Sequence, residues 1–232
     1  MLTNDDGIDA PGIASLEHAV SGVFSVGPSL VAPLGPQSGC GHKVTTHDPI
    51  SIDRRDSNRF AVDGTPADCV RLAVHHLVDS IDWVIAGINA GGNLGVDVHH
   101  SGTVAAVREA VIHGRRGIAI SHYIARGRTI DWQRAARWAR IVISKLLAEP
   151  AAPETFWNVN LPCSPEDSPD PEIVFCRVDP SPLPLEFIVG EGTAQYRGSY
   201  QDRPRREGWD VDVCFRGSIS VSLVSLTGQA SR

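Results

Sequence analysis

Asp5 and Asp6 stand side by side between Thr3-Asn4 and Gly7. Two adjacent carboxylates followed by a glycine that permits an unusual turn suit a hard divalent cation. Two like charges ~4 Å apart repel by ~4 kcal/mol at an effective dielectric of about 20, and a cation reverses that sign. Neutral oxygen donors lie further along. Ser38 sits in Pro36-Gln37-Ser38-Gly39-Cys40-Gly41-His42, where glycines flank Cys40. Asn89 and Asn93 sit in Ala86-Gly87-Ile88-Asn89-Ala90-Gly91-Gly92-Asn93-Leu94-Gly95. An asparagine offers an amide oxygen to a metal and an amide N–H₂ to a phosphate oxygen. His99-His100-Ser101-Gly102-Thr103 opens a helical stretch, and a helix N-terminus with Ser, Gly and Thr is a natural seat for phosphate.

Each motif alone has an ordinary reading. The acidic pair can be a turn that caps a helix, the 36–42 segment a plain Gly-rich loop, and Ser101 a simple N-cap. A turn and a helix cap account for every residue of Asp63-Gly64-Thr65-Pro66-Ala67-Asp68-Cys69. His42 reads as a structural hydrogen-bonding residue, and His99 and His100 as residues lining the site or protonating a leaving group. Taken together, two carboxylates, a serine, an asparagine and an anion-binding helix end imply a metal plus a phosphate, and so metal-assisted phosphoester hydrolysis.

Positioning such residues requires strands alternating with helices. Short apolar runs at 30–32, 60–62, 83–86 and 117–120 are separated by helical patterns at 11–20, 65–78, 101–113 and 131–147. Pro11 and Pro66 fall in first turns, and Gly114 reads as a left-handed C-cap. This order predicts βαβ units and a mostly parallel sheet, with the motifs on loops at one edge. Only Met1, Leu2 and Thr3 precede the acidic turn, so the first strand is expected to be very short or to begin upstream. A further run, 157–160, ends the core. Residues 161–210 are rich in Pro, Gly and charge, and 185–190 read as one arm of a hairpin. The tail at 211–212, 214–215 and 219–223 has strand character. The expected division is a core at 1–160 and an integrated C-terminal extension at 161–232.

Composition sets the outer limits. The chain has 232 residues, 42% hydrophobic and 21% charged, which excludes disordered, collagen-like and coiled-coil classes. A formal net charge of −6 argues against a general nucleic-acid binder. Five cysteines, none in a Cys-x-x-Cys spacing, read as reduced thiols. Neither a membrane-spanning stretch nor a leader is visible, so a cytoplasmic, soluble protein is expected.

The segments TNDDGIDAPG (3–12), VAPLGPQSGCGH (31–42), GTPADCV (64–70), AGINAGGNLGVDV (86–98) and HSGT (100–103) closely resemble the SurE survival-protein family of nucleotidases. YRGSYQDRPRREGWDVDV (196–213) resembles its tail. The resemblance covers nearly the whole chain. It implies a Rossmann-like, three-layer α/β fold with a C-terminal hairpin extension, and a metal-dependent 5′-nucleotidase acting on nucleoside 5′- and 3′-monophosphates, with short polyphosphate an alternative substrate. It carries the metal ligands to Asp5, Asp6, Ser38 and Asn89, with Asp5 and Asp6 catalytic, and the phosphate contacts to Asn93, Ser101, Gly102 and Thr103. Manganese or magnesium is the implied ion, and a homodimer or homotetramer through roughly 183–232 the implied assembly. Leu34-Gly35-Pro36 replaces charged residues common in the family. Two rivals remain on the residues themselves. A haloacid-dehalogenase-type phosphatase needs Asp-x-Asp, not adjacent acids. A nucleotide-binding module without catalysis needs only the pocket. A dehydrogenase would need Gly-x-Gly-x-x-Gly after the first strand.

Overall fold

The computed structural model describes residues 1–165 and 167–227. A nine-stranded sheet forms its centre, and the strands run from one edge to the other as β3-β4-β2-β1-β5-β6-β7-β11-β8. The six central strands are mutually parallel: β4 (Arg59–Val62), β2 (Leu30–Pro33), β1 (Leu2–Thr3), β5 (Trp83–Ala90), β6 (Arg116–His122) and β7 (Thr155–Leu161). At one margin β3 (Ile52–Arg54) runs antiparallel to β4. At the other, β11 (Ile219–Ser225) runs antiparallel to β7, and β8 (Ile173–Phe175) is parallel to β11.

Side chains alternate across these strands, so the sheet buries two separate cores. Leu30, Ile85, Ile118 and Ile120 face α1 (Pro11–Val20) and α4 (Trp132–Ala148). Val31, Val84, Ala86 and Ala119 face α2 (Pro66–Leu72) and α3 (Gly102–Ile112). Helices on both faces make the fold a Rossmann-like three-layer sandwich. Each helix start follows from its sequence. Thr65 accepts from Asp68 N–H while Asp68 reaches back to Thr65 N–H, with Pro66 in the first turn. Asp131 accepts from the N–H groups of Gln133 and Arg134, both at 3.0 Å. Past α2 the chain makes a π-helical turn at Ala73–Leu77, completing the helical run expected over 65–78.

β1 spans two residues of this sequence, Leu2–Thr3. Leu2 pairs with both Leu30 and Ile85, and Thr3 with Ala86, so two residues hold the centre of the sheet. From β1 the chain moves outward through β2 to β4, then returns to the other side of β1 for β5, β6 and β7. The strand order therefore reverses between β1 and β5, and ligands of open α/β sheets bind where the loops above such a reversal part.

The tail departs from expectation in one stretch. Residues 211–212 and 214–215, read as strand, form part of α5 (Asp210–Phe215). Asp210 and Asp212 in its first turn favour the positive helix end. Val211 and Cys214, three apart, bury together against Leu94 and Tyr123. A six-residue helix is too short for its period to show against an alternating pattern. The arm expected over 185–190 is β9 (Phe187–Gly190), and β10 (Thr193–Tyr196) completes the hairpin, apart from the main sheet. No helix among the described residues is long and apolar enough to cross a membrane, and all five cysteines are free thiols.

Candidate active site

Asp5 is buried at the end of β1, and its Oδ1 accepts a short hydrogen bond from the Thr103 hydroxyl. The first turn of α3 lies directly on this carboxylate. A Cβ added at Gly102 would stand 2.9 Å from Asp5 Cβ, 2.9 Å from Cys40 Sγ and 3.0 Å from Asp5 Oδ2. Only glycine lets the helix end approach so closely. Burial pushes the Asp5 carboxyl above the ordinary carboxylate range; the Thr103 hydrogen bond opposes this, and the charge of Asp6 adds to the rise. Cys40 is also held as a thiol, by burial and by the charge of Asp5.

Asp6 turns the other way. Its Oδ2 accepts from Ala90 N–H at 3.0 Å, so it stands beside Asn89 at the C-terminal end of the neighbouring strand β5. A register shift in the β5–β6 pairing between Ala86 and Asn89 precedes that residue. The Asn89 amide N–H₂ donates to Gly91 O at 2.7 Å, which leaves its Oδ1 as the unengaged acceptor among the described residues.

The Ser38 loop is anchored at both ends. Gln37 N–H donates to Asp5 O at 2.7 Å, and Gly41 N–H to His100 O at 3.2 Å. Ser38 itself is exposed, with its hydroxyl in no hydrogen bond among the described residues. His42 has the structural role expected of it. Its Nε2 meets Glu109 Oε2 at 2.7 Å, and His113 Nε2 meets Glu109 Oε1 at 3.0 Å. Asp68 gathers the N–H and hydroxyl of both Thr45 and Thr65, at 2.8–3.0 Å, and so holds the loop's far end to α2.

At the N-terminus of α3, Ser101 Oγ accepts from Val104 N–H at 3.1 Å. Thr103 is fully buried and its hydroxyl is spent on Asp5. The Thr103 N–H, like its hydroxyl, is turned to the Asp5 carboxylate, so what the helix end offers to an anion is the N–H of Gly102, which has no acceptor among the described residues, and the Ser101 hydroxyl proton. Asn93 is nearly enclosed. Its N–H donates to Asn160 Oδ1 at 2.7 Å and its amide N–H₂ to Ser121 Oγ at 2.7 Å. Its carbonyl accepts from Asn158 and Asn160, at 2.9 and 3.1 Å.

Sequence reasoning passed over the residues that grip this Gly-rich loop. Asn158 and Asn160 alternate on a buried strand, and two polar side chains on one face of an otherwise apolar run were the available signal. Asp97 Oδ2 accepts from Tyr200 Oη and Arg203, both at 2.7 Å. Asp210 accepts from Gly95 N–H and Asp179 N–H, both at 2.8 Å. Tyr200 and Arg203 on Asp97, and Asp210 on Gly95, tie the C-terminal extension to the loop that carries Asn93, and only tertiary structure brings them together.

No group of three or more His, Cys, Asp and Glu side chains among the described residues could hold a metal ion. The candidate donors here are two carboxylates with a serine and an asparagine oxygen, an all-oxygen set that fits a hard cation and not a soft one. The raised Asp5 carboxyl points the same way, since a buried acid beside a second acid is relieved by positive charge.

A Rossmann-like sheet with an oxygen-donor pair and a helix N-terminus at its switch point defines a phosphate-handling α/β protein. The sequence profile described as Survival protein SurE matches residues 1–180, and the chain belongs to that family. A protein of Synechocystis sp. is 53% identical over 224 residues, 96% of this chain and 97% of its own. The 5′-nucleotidase SurE of Rhodospirillum rubrum is 45% identical over 238 residues, covering 96% of this chain and 88% of its own. The crystal structure of the SurE protein from Aquifex aeolicus superposes with a TM-score of 0.85 at 30% identity, covering 98% of this chain and 93% of that one.

Proposed function

We propose that the chain is a 5′-nucleotidase, a metal-dependent phosphomonoesterase that releases phosphate from nucleoside 5′-monophosphates and, secondarily, 3′-monophosphates. The observation that carries this reading is the seating of the α3 N-terminus on Asp5, through Thr103 and Gly102. It brings the positive end of a helix and a pair of carboxylates to one place at the switch point, so that a phosphate held at the helix end lies beside the oxygens that would hold a cation. Relatives named 5′-nucleotidase SurE support the substrate class.

Asp5, Asp6, Ser38 and Asn89 would hold one divalent cation, manganese or magnesium. When bound, that ion lowers the pKa of a coordinated water and offsets phosphate charge. The remaining work falls to the chain. The N–H of Gly102 and the Ser101 hydroxyl bind phosphoryl oxygens and stabilise the charge that spreads over them in the transition state, while Thr103 stays on Asp5 and fixes the helix end there. Asn93, fixed on every side by Ser121, Asn158 and Asn160, presents its remaining amide hydrogen and Oδ1 without needing to reorganise. One of the two aspartates accepts the proton of the attacking water, and no phosphoenzyme is required. The hairpin at 187–196 is the element we assign to self-association as a homodimer or homotetramer.

The test is phosphate release from a panel of 5′- and 3′-nucleoside monophosphates with manganese, magnesium or chelator. Metal-dependent release from the 5′-series is expected. Binding of AMP with manganese but no release of phosphate would instead establish a binding module.

A further inference from the structure

An open cavity of ≈ 410 Å³ is lined by Asp6 and by Ala90, the neighbour of Asn89, and the mechanism leaves it unused. Its walls include Asp6, Asp9, Pro11, Leu34, Pro36 and Trp132. We propose that this cavity is the nucleoside subsite, with the base stacked on the indole of Trp132. The inference rests on the nucleotidase reading and specifies which part of the substrate is recognised, and where.

Three observations support it. First, the cavity is continuous with the chemistry, because Asp6 lines it while its Oδ2 is fastened through Ala90 N–H to the end of β5 that carries Asn89. A ligand whose phosphate lies at the carboxylate pair extends into it. Second, its walls are apolar where an ordinary surface loop is not. Pro11 and Pro36 are exposed, and Leu34 is 49% exposed. Third, Trp132 is held rigidly. It is the first residue of a helix capped by Asp131, and its ring edge stands 3.3 Å from where a Gly12 side chain would begin. Gly12 itself is pressed against the Ile88 carbonyl, 2.0 Å from that same point. The Trp132 N–H donates to no acceptor among the described residues, whereas Trp138 N–H is taken by Asp170 at 2.9 Å. A fixed aromatic face with a free donor, beside the exposed carboxylate of Asp9, matches a flat heterocycle carrying polar edges and a hydroxylated sugar. A bare sugar phosphate leaves the indole unused.

The experiment compares kcat/KM for AMP and GMP with that for ribose 5-phosphate, in the parent, Trp132→Ala and Trp132→Phe, with manganese present. The parent should prefer the nucleotides. Trp132→Ala should lose about tenfold of that preference, the size of one base–aromatic stack, through KM and not kcat. Trp132→Phe should keep most of it. If Trp132→Ala does not fold, Leu34→Asp, which places a charge on the rim, provides the same reading. An unchanged ratio, or a parent that uses ribose 5-phosphate as well as AMP, overturns the subsite while leaving the nucleotidase reading intact. If no phosphate is released from any substrate, the nucleotidase reading fails, and equilibrium dialysis with adenosine decides the cavity alone. Binding lost in Trp132→Ala supports the subsite, and binding that is absent or equal in both proteins refutes it.

Discussion

Thr103 donates its hydroxyl hydrogen to Asp5 across 98 positions of sequence, joining the second residue of α3 to the loop after β1. The bond stabilises the ionised carboxyl in a place where burial disfavours it. Thr103→Val keeps the shape and removes the donor. Asp5 then moves further above the ordinary carboxylate range, and protons compete better with the cation. Metal affinity and kcat/KM should fall by about 10- to 100-fold, the usual cost of losing a residue that orients a ligand. The acidic limb of the pH–rate profile should move to higher pH, and Thr103→Ser should restore both. Manganese titrations and a pH series of phosphate release measure this.

Asp5→Asn removes the charge itself. Because the folded-state carboxyl is raised, its contribution to stability is present below the unfolded pKa and is lost as pH rises through the folded pKa. At neutral pH the metal-free parent therefore carries a cost that the asparagine variant does not. The variant should melt no lower than the metal-free parent, show little gain in Tm on adding manganese, and lose most activity. Thermal melts with and without manganese check the first two points, and equal phosphatase rates in variant and parent would refute the assignment.

The residues that touch a ligand were more legible than those that hold them. NDDG, GIN and SGT stand out because their types are wrong for a buried strand end and right for binding. The alternation at 30–32, 83–86 and 117–120 disclosed the parallel sheet. The supports were hidden for definite reasons. Arg203 reads as one charge among many in 161–210, yet it is buried and paired with Asp97, more than a hundred positions away. β3 and β8 have three residues each, too few for a pattern. Trp132 looked like one more apolar position on a helix, and only the packing of α4 beside α1 turns it toward Asp6.

Asn160 both accepts from Asn93 N–H and donates to Asn93 O. Asn160→Ala leaves a buried N–H without a partner and frees the Asn93 segment. The expected cost is about 2 kcal/mol, since an unmade buried hydrogen bond forfeits the solvation of the group left behind. kcat should fall more than metal affinity, because Asp5, Asp6 and Asn89 are not attached to Asn160. Urea unfolding gives the first quantity, and steady-state rates with manganese titration separate the other two.

Glu109 receives His42 and His113 at one buried carboxylate. Burial pushes its carboxyl up, but the two histidine contacts outweigh that and hold it below the ordinary value. A depressed carboxylate stabilises the fold above its unfolded pKa and loses that contribution as pH falls through the folded one. Glu109→Gln should therefore cost about 2 kcal/mol at pH ~7 and progressively less in acid. It should also loosen the 36–45 loop and weaken metal binding through Ser38. Equal urea midpoints for variant and parent at pH ~7 would remove Glu109 as the clasp of that loop.

The hairpin at 187–196 leaves Phe187, Ile188 and Val189 on the surface at 53%, 58% and 76% exposure. Phe187 and Tyr196 stack edge to face across it, 5.5 Å between centroids, but a lone two-stranded hairpin is marginal in water. Apolar side chains clustered on such an element are stabilised when a second copy covers them. Replacing Ile188 and Val189 by serine should shift light-scattering mass toward the monomer and leave the Tm of the sheet little changed, because among the described residues β9 and β10 pair only with each other. If the double variant retains the parent's mass, the contact between copies lies elsewhere on the chain.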